Sequence, residues 1–314
     1  MAFTMHSHSG EFCPGHAKDT LESVVLHAIS AGYHTLGLTE HMPRTELSDL
    51  YPDEFLPSPE ASLASLFPRH EAYLLEARRL QRLYSAQIHI LIGFEGEWIR
   101  PGCGPLIQTL ASAPCVDYFI GSIHHAGGIP IDYDRATYHV AREACGGSDE
   151  AVFEKYYDEQ LDMLVALRPK VVGHFDLIRL MSDVPDMGAD EVGDGAVWAR
   201  VVRNLKEVVG YGGWLECNTS ALRKGLAEPY PGRAIAEEFL KMGGKFTFSD
   251  DSHGTAQVAT NYARGLDYLE SLGVRELWTL ERVVADDAES DVKAALVEKS
   301  VTIDEFRRTL KVPA

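Results

Sequence analysis

Cysteine is scarce in this chain. Its five residues, Cys13, Cys103, Cys115, Cys145 and Cys217, are scattered, odd in number and without CxxC spacing. That excludes a disulfide framework and a thiolate zinc knuckle, and predicts free thiols in a reducing compartment. No apolar run reaches the roughly 20 residues that span a bilayer. The N-terminus lacks the basic patch, apolar stretch and small-residue cleavage site of a secretory signal, so a cytoplasmic protein with no membrane partner is expected. Positive charge is also in short supply, with 29 Lys and Arg against 47 Asp and Glu and a net charge of −18. A chain of that sign repels a polyanionic backbone, so nucleic acid is not an expected partner. A small anionic substrate stays open, because bound divalent cations can reverse the field locally. There is no internal repeat and no low-complexity tract, and nothing in the pattern sets an oligomeric state.

What the 314 residues do contain is an alternation of short apolar strands and amphipathic helices, with 45% hydrophobic residues to build a core. Strands are predicted over 3–8, 35–41, 88–98, 118–125, 171–176, 214–220 and 245–253. Asp19-Thr20-Leu21-Glu22 reads as a capping box, followed by Leu21, Val24, Val25, Ala28 and Ile29 on one helical face and Gly32 as a stop. Further helices are predicted over 68–85, 106–111, 149–167, 195–209 and 232–242, with a mostly helical C-terminal segment. Excursions near 47–67 and 126–147 read as pocket walls or lid loops. Strict βα alternation argues for an α/β fold with a parallel sheet, and seven units in one chain for a single barrel domain over 1–314. An open doubly wound sheet is the structural alternative.

The chemistry gathers at the C-terminal ends of these strands. His6 and His8 form a His-x-His pair whose side chains share a face of an extended strand. His41, Glu95, His124 and His174 end the next four, the turn from Asn218 through Ser220 to Arg223 ends the sixth, and Asp251 and His253 end the seventh. Strand ends of a βα barrel converge on one face, so these residues can share a pocket. With His16 on the Cys-Pro-Gly loop they make nine ligands, too many for one cation and suited to two or three that share a carboxylate. Imidazole with carboxylate and no thiolate favours zinc, iron or manganese. His27, His34, His70, His89, His125 and His139 read as structural. Arg223 can offer a planar fork to two phosphate oxygens.

The ordered motifs HSHS, TEH, GFEGEW, GSIHH, GHFD, ECNTSALRKG and SDDSH, over about residues 1–255, resemble the polymerase and histidinol phosphatase (PHP) family. The NTSALRKGLAEPYP segment and SDDSH are most similar to its histidinol-phosphate phosphatases. The resemblance implies a distorted (β/α)7 barrel with a trinuclear centre at the C-terminal strand ends. One metal would take His6, His8, Glu95 and Asp251, a second Glu95, His124 and His174, and a third His16, His41 and His253; many relatives have aspartate at the position of His16. It also implies a phosphate monoester as substrate, L-histidinol phosphate, with Asp251, His253 and Arg223 acting on the phosphoryl group. Asn218, Ser220, Glu97 and Asp132 are then candidate substrate contacts, with Glu40 and Asp134 as further acids for the amino and imidazole groups. The competing expectations are a diesterase or exonuclease of the same family, a phosphatase for another small phosphorylated alcohol, and a metal-binding barrel without activity.

Overall fold

The computed structural model describes residues 1–55, 57–283 and 293–311, and in it short parallel strands alternate with helices, as the sequence pattern predicts. The strands are β1 (Ala2–Thr4), β2 (Tyr33–Leu38), β3 (His89–Ile92), β4 (Glu95–Glu97), β5 (Ile120–Ser122), β6 (His125–Ala126) and β7 (Ile129–Pro130). They continue as β8 (Val171–Val172), β9 (Trp214–Asn218), β10 (Lys245–Ser249), β11 (Glu276–Val283) and β12 (Ala295–Thr302). The first three form one parallel sheet, and β10, β9, β8, β5 and β4 in that order form a second. The two sheets touch at both edges. His41 bridges Glu95 on one side, while on the other Met5 N–H donates to Phe248 O at 3.2 Å and His8 N–H to Ser252 O at 2.8 Å. What the sequence leads one to expect as a seven-stranded ring is thus two parallel ladders with isolated links between them.

Each strand is shorter than its apolar run predicts. The third breaks into β3 and β4 at Gly93 and Phe94, and the fifth is reduced to Val171 and Val172. The ladder stops where the expected ligands begin, because side chains aimed at one point require the backbone to leave the regular pleat. One close approach fixes the relative position of strands: a Cβ on Gly37 would lie 2.1 Å from the Tyr118 hydroxyl, which donates to Met5 O at 2.6 Å. Only glycine leaves room for that crossing.

The helices are α1 (Leu21–Ser30), α2 (Pro59–Leu83), α3 (Gly104–Ala111), α4 (Arg135–Ala144), α5 (Asp149–Leu167), α6 (Ala196–Tyr211), α7 (Ser220–Arg223), α8 (Arg233–Lys241), α9 (Tyr262–Ser271) and α10 (Ile303–Thr309). In α1 the cap is Thr20, which accepts from Ser23 N–H, and Glu22 is not part of a capping box. Glu22 is instead drawn to Arg79 and Tyr84. α2 begins nine residues before the predicted start at Pro68, because Ser58 caps it and Pro59 occupies a first-turn position where its missing N–H costs nothing. Pro68 therefore lies inside the helix, and half of the expected excursion over 47–67 is helical. The excursion over 126–147 likewise contains the β6–β7 hairpin and α4, capped by Asp134. Among the described residues the C-terminal part is not mostly helical: β11 and β12 pair antiparallel over eight residues each and turn Leu277, Thr279, Leu280 and Val301 into the core. Expected helix over 284–292 and 312–314 lies outside the described residues.

Candidate metal centre

The nine expected ligands come from six strand ends or the loops just beyond them, and six imidazoles, buried or largely buried, converge on Glu95 and Asp251. Glu95 stands between two sets of imidazoles. Its Oε2 lies 3.3 Å from His6 Nε2, 3.5 Å from His8 Nε2 and 3.1 Å from His41 Nδ1. Its Oε1 lies 3.0 Å from His174 Nε2 and 3.4 Å from His124 Nε2. Asp251 Oδ1 lies 3.7 Å from His6 Nε2, 3.5 Å from His8 Nε2 and 3.6 Å from His253 Nδ1. Two ligands on one zinc, each about 2.0–2.2 Å from it at tetrahedral angles, stand roughly 3.4 Å apart, so the donor spacing fits a cation of that size.

Ligand atoms within 4.8 Å of one another form three groups: His6, His8 and Asp251; Glu95, His124 and His174; and His8, His41 and His253. The second has the members of its expected set, and the first has those of its set without Glu95. In the third His8 takes the place expected of His16, which is exposed on its turn with its ring 4.6 Å from that of His253. Several ring nitrogens here, among them His6 Nε2, His8 Nε2 and His253 Nε2, are buried without a hydrogen-bond partner. A buried polar atom left unsatisfied is costly, which is the physical reason to expect a cation among them.

Without a cation the charges hold one another in place. Burial works against the charged form of His6, yet Glu216, Asp251 and Glu95 raise its pKa well above the usual imidazole range. His41 is likewise raised against burial, to about 9, by Glu95 and Glu97. Burial and the neighbouring His41 push His8 down to about 3, and burial with His8 pushes His253 down as well. Glu95 and Asp251 stay ionised against burial, with His6 leading the groups that hold their carboxyls well below the usual range. Glu216 was not singled out from the sequence. From the middle of β9 its Oε1 accepts from His6 Nδ1 at 2.9 Å and from Ser249 Oγ, and its Oε2 takes His174 N–H at 2.9 Å. The available signal was a carboxylate on the same strand face as Asn218, in a run of otherwise apolar neighbours.

The cluster opens into a cavity of about 430 Å³. Its walls include His16, His41, Glu95, His124, His174, Arg223, Asp251 and His253, with Asp132, Tyr133 and Lys224 among the others. Several expected substrate contacts do not line it. Asn218 Nδ2 donates to Glu216 and Asp251, and Ser220 Oγ reaches Asp251 Oδ2 at 3.3 Å, so both brace Asp251 from behind. Glu97 is sealed against His41 Nδ1 (2.8 Å) and Arg44 (3.3 Å), because a carboxylate with two cationic neighbours tolerates burial. Asp134 is spent as a helix cap. Glu40 borders the cavity but is nearly enclosed, accepting from Ser9 N–H and Oγ, and burial raises its carboxyl to about 7. Arg223 also departs from the expected phosphate fork: it donates to the carbonyls of Asp250 (3.0 Å) and Asp251 (2.9 Å) and to Thr260 Oγ1. Asp251 sits at φ 48°, a left-handed conformation that costs a non-glycine residue about 1 kcal/mol or more, and the guanidinium holds that turn.

His70 lies outside the cluster on α2, where it borders the far side of the cavity with both ring nitrogens buried and unpartnered. Burial alone lowers its pKa to about 4. The unfolded chain therefore binds a proton first as pH falls, and the stability held above about 6.5 is lost progressively toward 4. In His70→Leu this loss should disappear. The variant's stability relative to wild type, measured by urea unfolding in one metal buffer, is expected to rise by ~2–3 kcal/mol between pH 7 and 4.5. A constant difference would mean that His70 is not held neutral by burial.

Comparison with known proteins places this geometry. A family model described as the PHP domain matches residues 4–220. The chain is 42% identical over 284 residues to a Schizosaccharomyces pombe protein named probable histidinol-phosphatase, covering 90% of each. It is 32% identical to the histidinol-phosphatase of Saccharomyces cerevisiae over 84% of this chain and 87% of that one. Its fold is similar to the crystal structure of a Lactococcus lactis histidinol phosphate phosphatase complexed with zinc, L-histidinol and phosphate. The TM-score is 0.63 at 20% identity, covering 88% of this chain and 96% of that one.

Proposed function

This chain belongs to the PHP domain family, and from that premise we propose that it is a phosphoric monoester hydrolase that converts L-histidinol phosphate to L-histidinol and phosphate, the reaction of a histidinol-phosphatase in histidine biosynthesis. The observation that carries this reading is Glu95, a buried carboxylate with imidazoles on both oxygens at the floor of a cavity large enough for a small phosphorylated alcohol. The two ladders and their linked edges support a distorted barrel as a single domain, with the site at the C-terminal strand ends.

Two or three divalent zinc, iron or manganese ions, when bound, would acidify a water and hold phosphoryl oxygens. His6, His8, Glu95 and Asp251 would hold one, Glu95, His124 and His174 another, and His41 and His253 a third, with His16, its ring 4.6 Å from that of His253, beside them. In the reaction a water oxygen bonds to phosphorus, the bond from phosphorus to the histidinol oxygen breaks, and that oxygen leaves with a proton. Asp251 and His253 act at the phosphoryl end of the cavity. Arg223, at the cavity wall, keeps Asp251 in its strained turn, and Lys224 adds a cation to the same wall. The excess of acidic residues supports a small substrate over nucleic acid, and no helix among the described residues is long and apolar enough to cross a membrane. A cytoplasmic location agrees with both.

The test is a substrate panel on metal-analysed protein. L-Histidinol phosphate is expected to exceed simple alkyl monoesters and diesters in kcat/KM by at least about a hundredfold, the discrimination open to a site that pairs a substrate's polar groups. Equal turnover of all monoesters, or a preference for the diester, would overturn it.

A further inference from the structure

Two parts of the cavity wall carry none of the expected ligands. Tyr51 comes from the first excursion and Asp132 with Tyr133 from the second, and they meet although 81 residues of chain separate Tyr51 from Asp132. The Tyr51 and Tyr133 rings lie 6.2 Å apart between centroids at 30°, and the Arg44 guanidinium sits 5.3 Å from the Tyr51 ring. Arg44 is itself held by Glu97 and Glu54, so Tyr51 is a fixed backing.

The Asp132–Tyr133 dipeptide is fixed as well. On one side Ile131 N–H donates to His124 O at 2.9 Å, and on the other Asp134 caps α4. On this rigid support the two side chains are incompletely used. Asp132 Oδ1 is buried with no hydrogen-bond partner, and Tyr133, a large aromatic at the cavity, is 39% exposed. An unpaired carboxylate oxygen calls for a cation, and an open aromatic face for a flat ring or a cation.

We propose that Asp132 and Tyr133 form the leaving-group subsite of this enzyme, Asp132 taking a cationic amine and Tyr133, backed by Tyr51, taking a planar heteroaromatic ring. The proposal rests on the phosphatase reading and names what in the wall selects the alcohol. The amino group and imidazole of L-histidinol supply both features on one small molecule. A phosphorylated alcohol lacking them would fit the same phosphoryl site yet leave the carboxylate unpaired.

The test compares kcat/KM for L-histidinol phosphate with that for propyl phosphate, a monoester with an alkoxide leaving group but no amine or ring. Because both leaving groups are poor, loss of a proton donor or a metal ligand would depress both substrates together. Asp132→Asn is expected to lower the ratio of the two values tenfold to a hundredfold, chiefly through KM, and to weaken competitive inhibition by L-histidinol by a similar factor. Tyr133→Ala should lower the ratio several-fold and Tyr133→Phe should retain it, since the ring and not the hydroxyl makes the contact. A parallel loss on both substrates, or an unchanged ratio and unchanged L-histidinol inhibition in an enzyme that prefers L-histidinol phosphate, overturns the subsite. Absence of any such preference in the wild-type enzyme overturns the phosphatase reading itself, and the subsite with it.

Discussion

Glu95→Gln is expected to lower phosphatase activity by about a thousandfold or more and to remove most of the bound metal. The glutamine side chain has nearly the same shape, so the loss would isolate charge and ligation from packing. In the native arrangement one carboxylate oxygen faces His6, His8 and His41 and the other faces His124 and His174. An amide keeps one acceptor and turns the other atom into a donor, which points an N–H at imidazoles whose lone pairs must be free to ligate. Metal ions supply several kcal/mol of transition-state stabilisation, and ~4 kcal/mol corresponds to about three decades in rate. Glu95 also helps raise His6, His41 and His174, so its removal should lower the basicity of each. Elemental analysis and kcat/KM on the same preparation decide the matter. A full metal complement with turnover within tenfold of wild type would show that Glu95 is an ordinary strand-end acid.

Removal of metal by a strong chelator should abolish turnover, and restoring zinc, manganese or iron should recover it. The thermal midpoint should fall as well, by an amount that depends on pH in a defined direction. In the metal-free cluster His41 is raised to about 9, so its ion pairs with Glu95 and Glu97 contribute fully below about 6.5 and are lost as pH climbs toward 9. Glu95, Asp251 and Glu216 are held below the usual range, so their contribution is present above ordinary carboxylate values and lost on strong acidification. His8, His253 and His70 are held neutral and lose their contribution as pH falls below about 6.5, so the metal-free protein is most secure near that pH. Metal binding needs neutral imidazoles and has the opposite preference. The gap in melting temperature between loaded and stripped protein should widen from pH 6 to pH 8.5. A gap that narrows, or activity that survives chelation intact, would contradict a metal-dependent centre.

The eight positions that converge were legible because each lies at the end of a short apolar run, and a two-residue period with turn residues is local information. His6 and His8, two apart in an extended segment, announce a shared face before any fold is known. α5 was legible to the residue, since Ser148 caps it and acids fill its first turn. The start of α2 was not, because Pro68 reads as a boundary when a helix can in fact carry it between a strong cap and a packed face. Nor was the β11–β12 pair, whose segments lack a clean two-residue period of apolar and polar residues.

By itself the sequence determined the α/β class, the family and which histidines and carboxylates stand at the strand ends. Those depend on residue type and near spacing, which the chain states directly. Only the tertiary structure decided which groups meet. Glu216 supports His6 across 210 residues, Glu97 is sealed between His41 and Arg44, and Arg223 is turned from substrate toward the backbone of Asp251. A buried charge is stable only beside its partner. The choice of partner is made by the folding of distant strand ends onto one point, which no local pattern encodes.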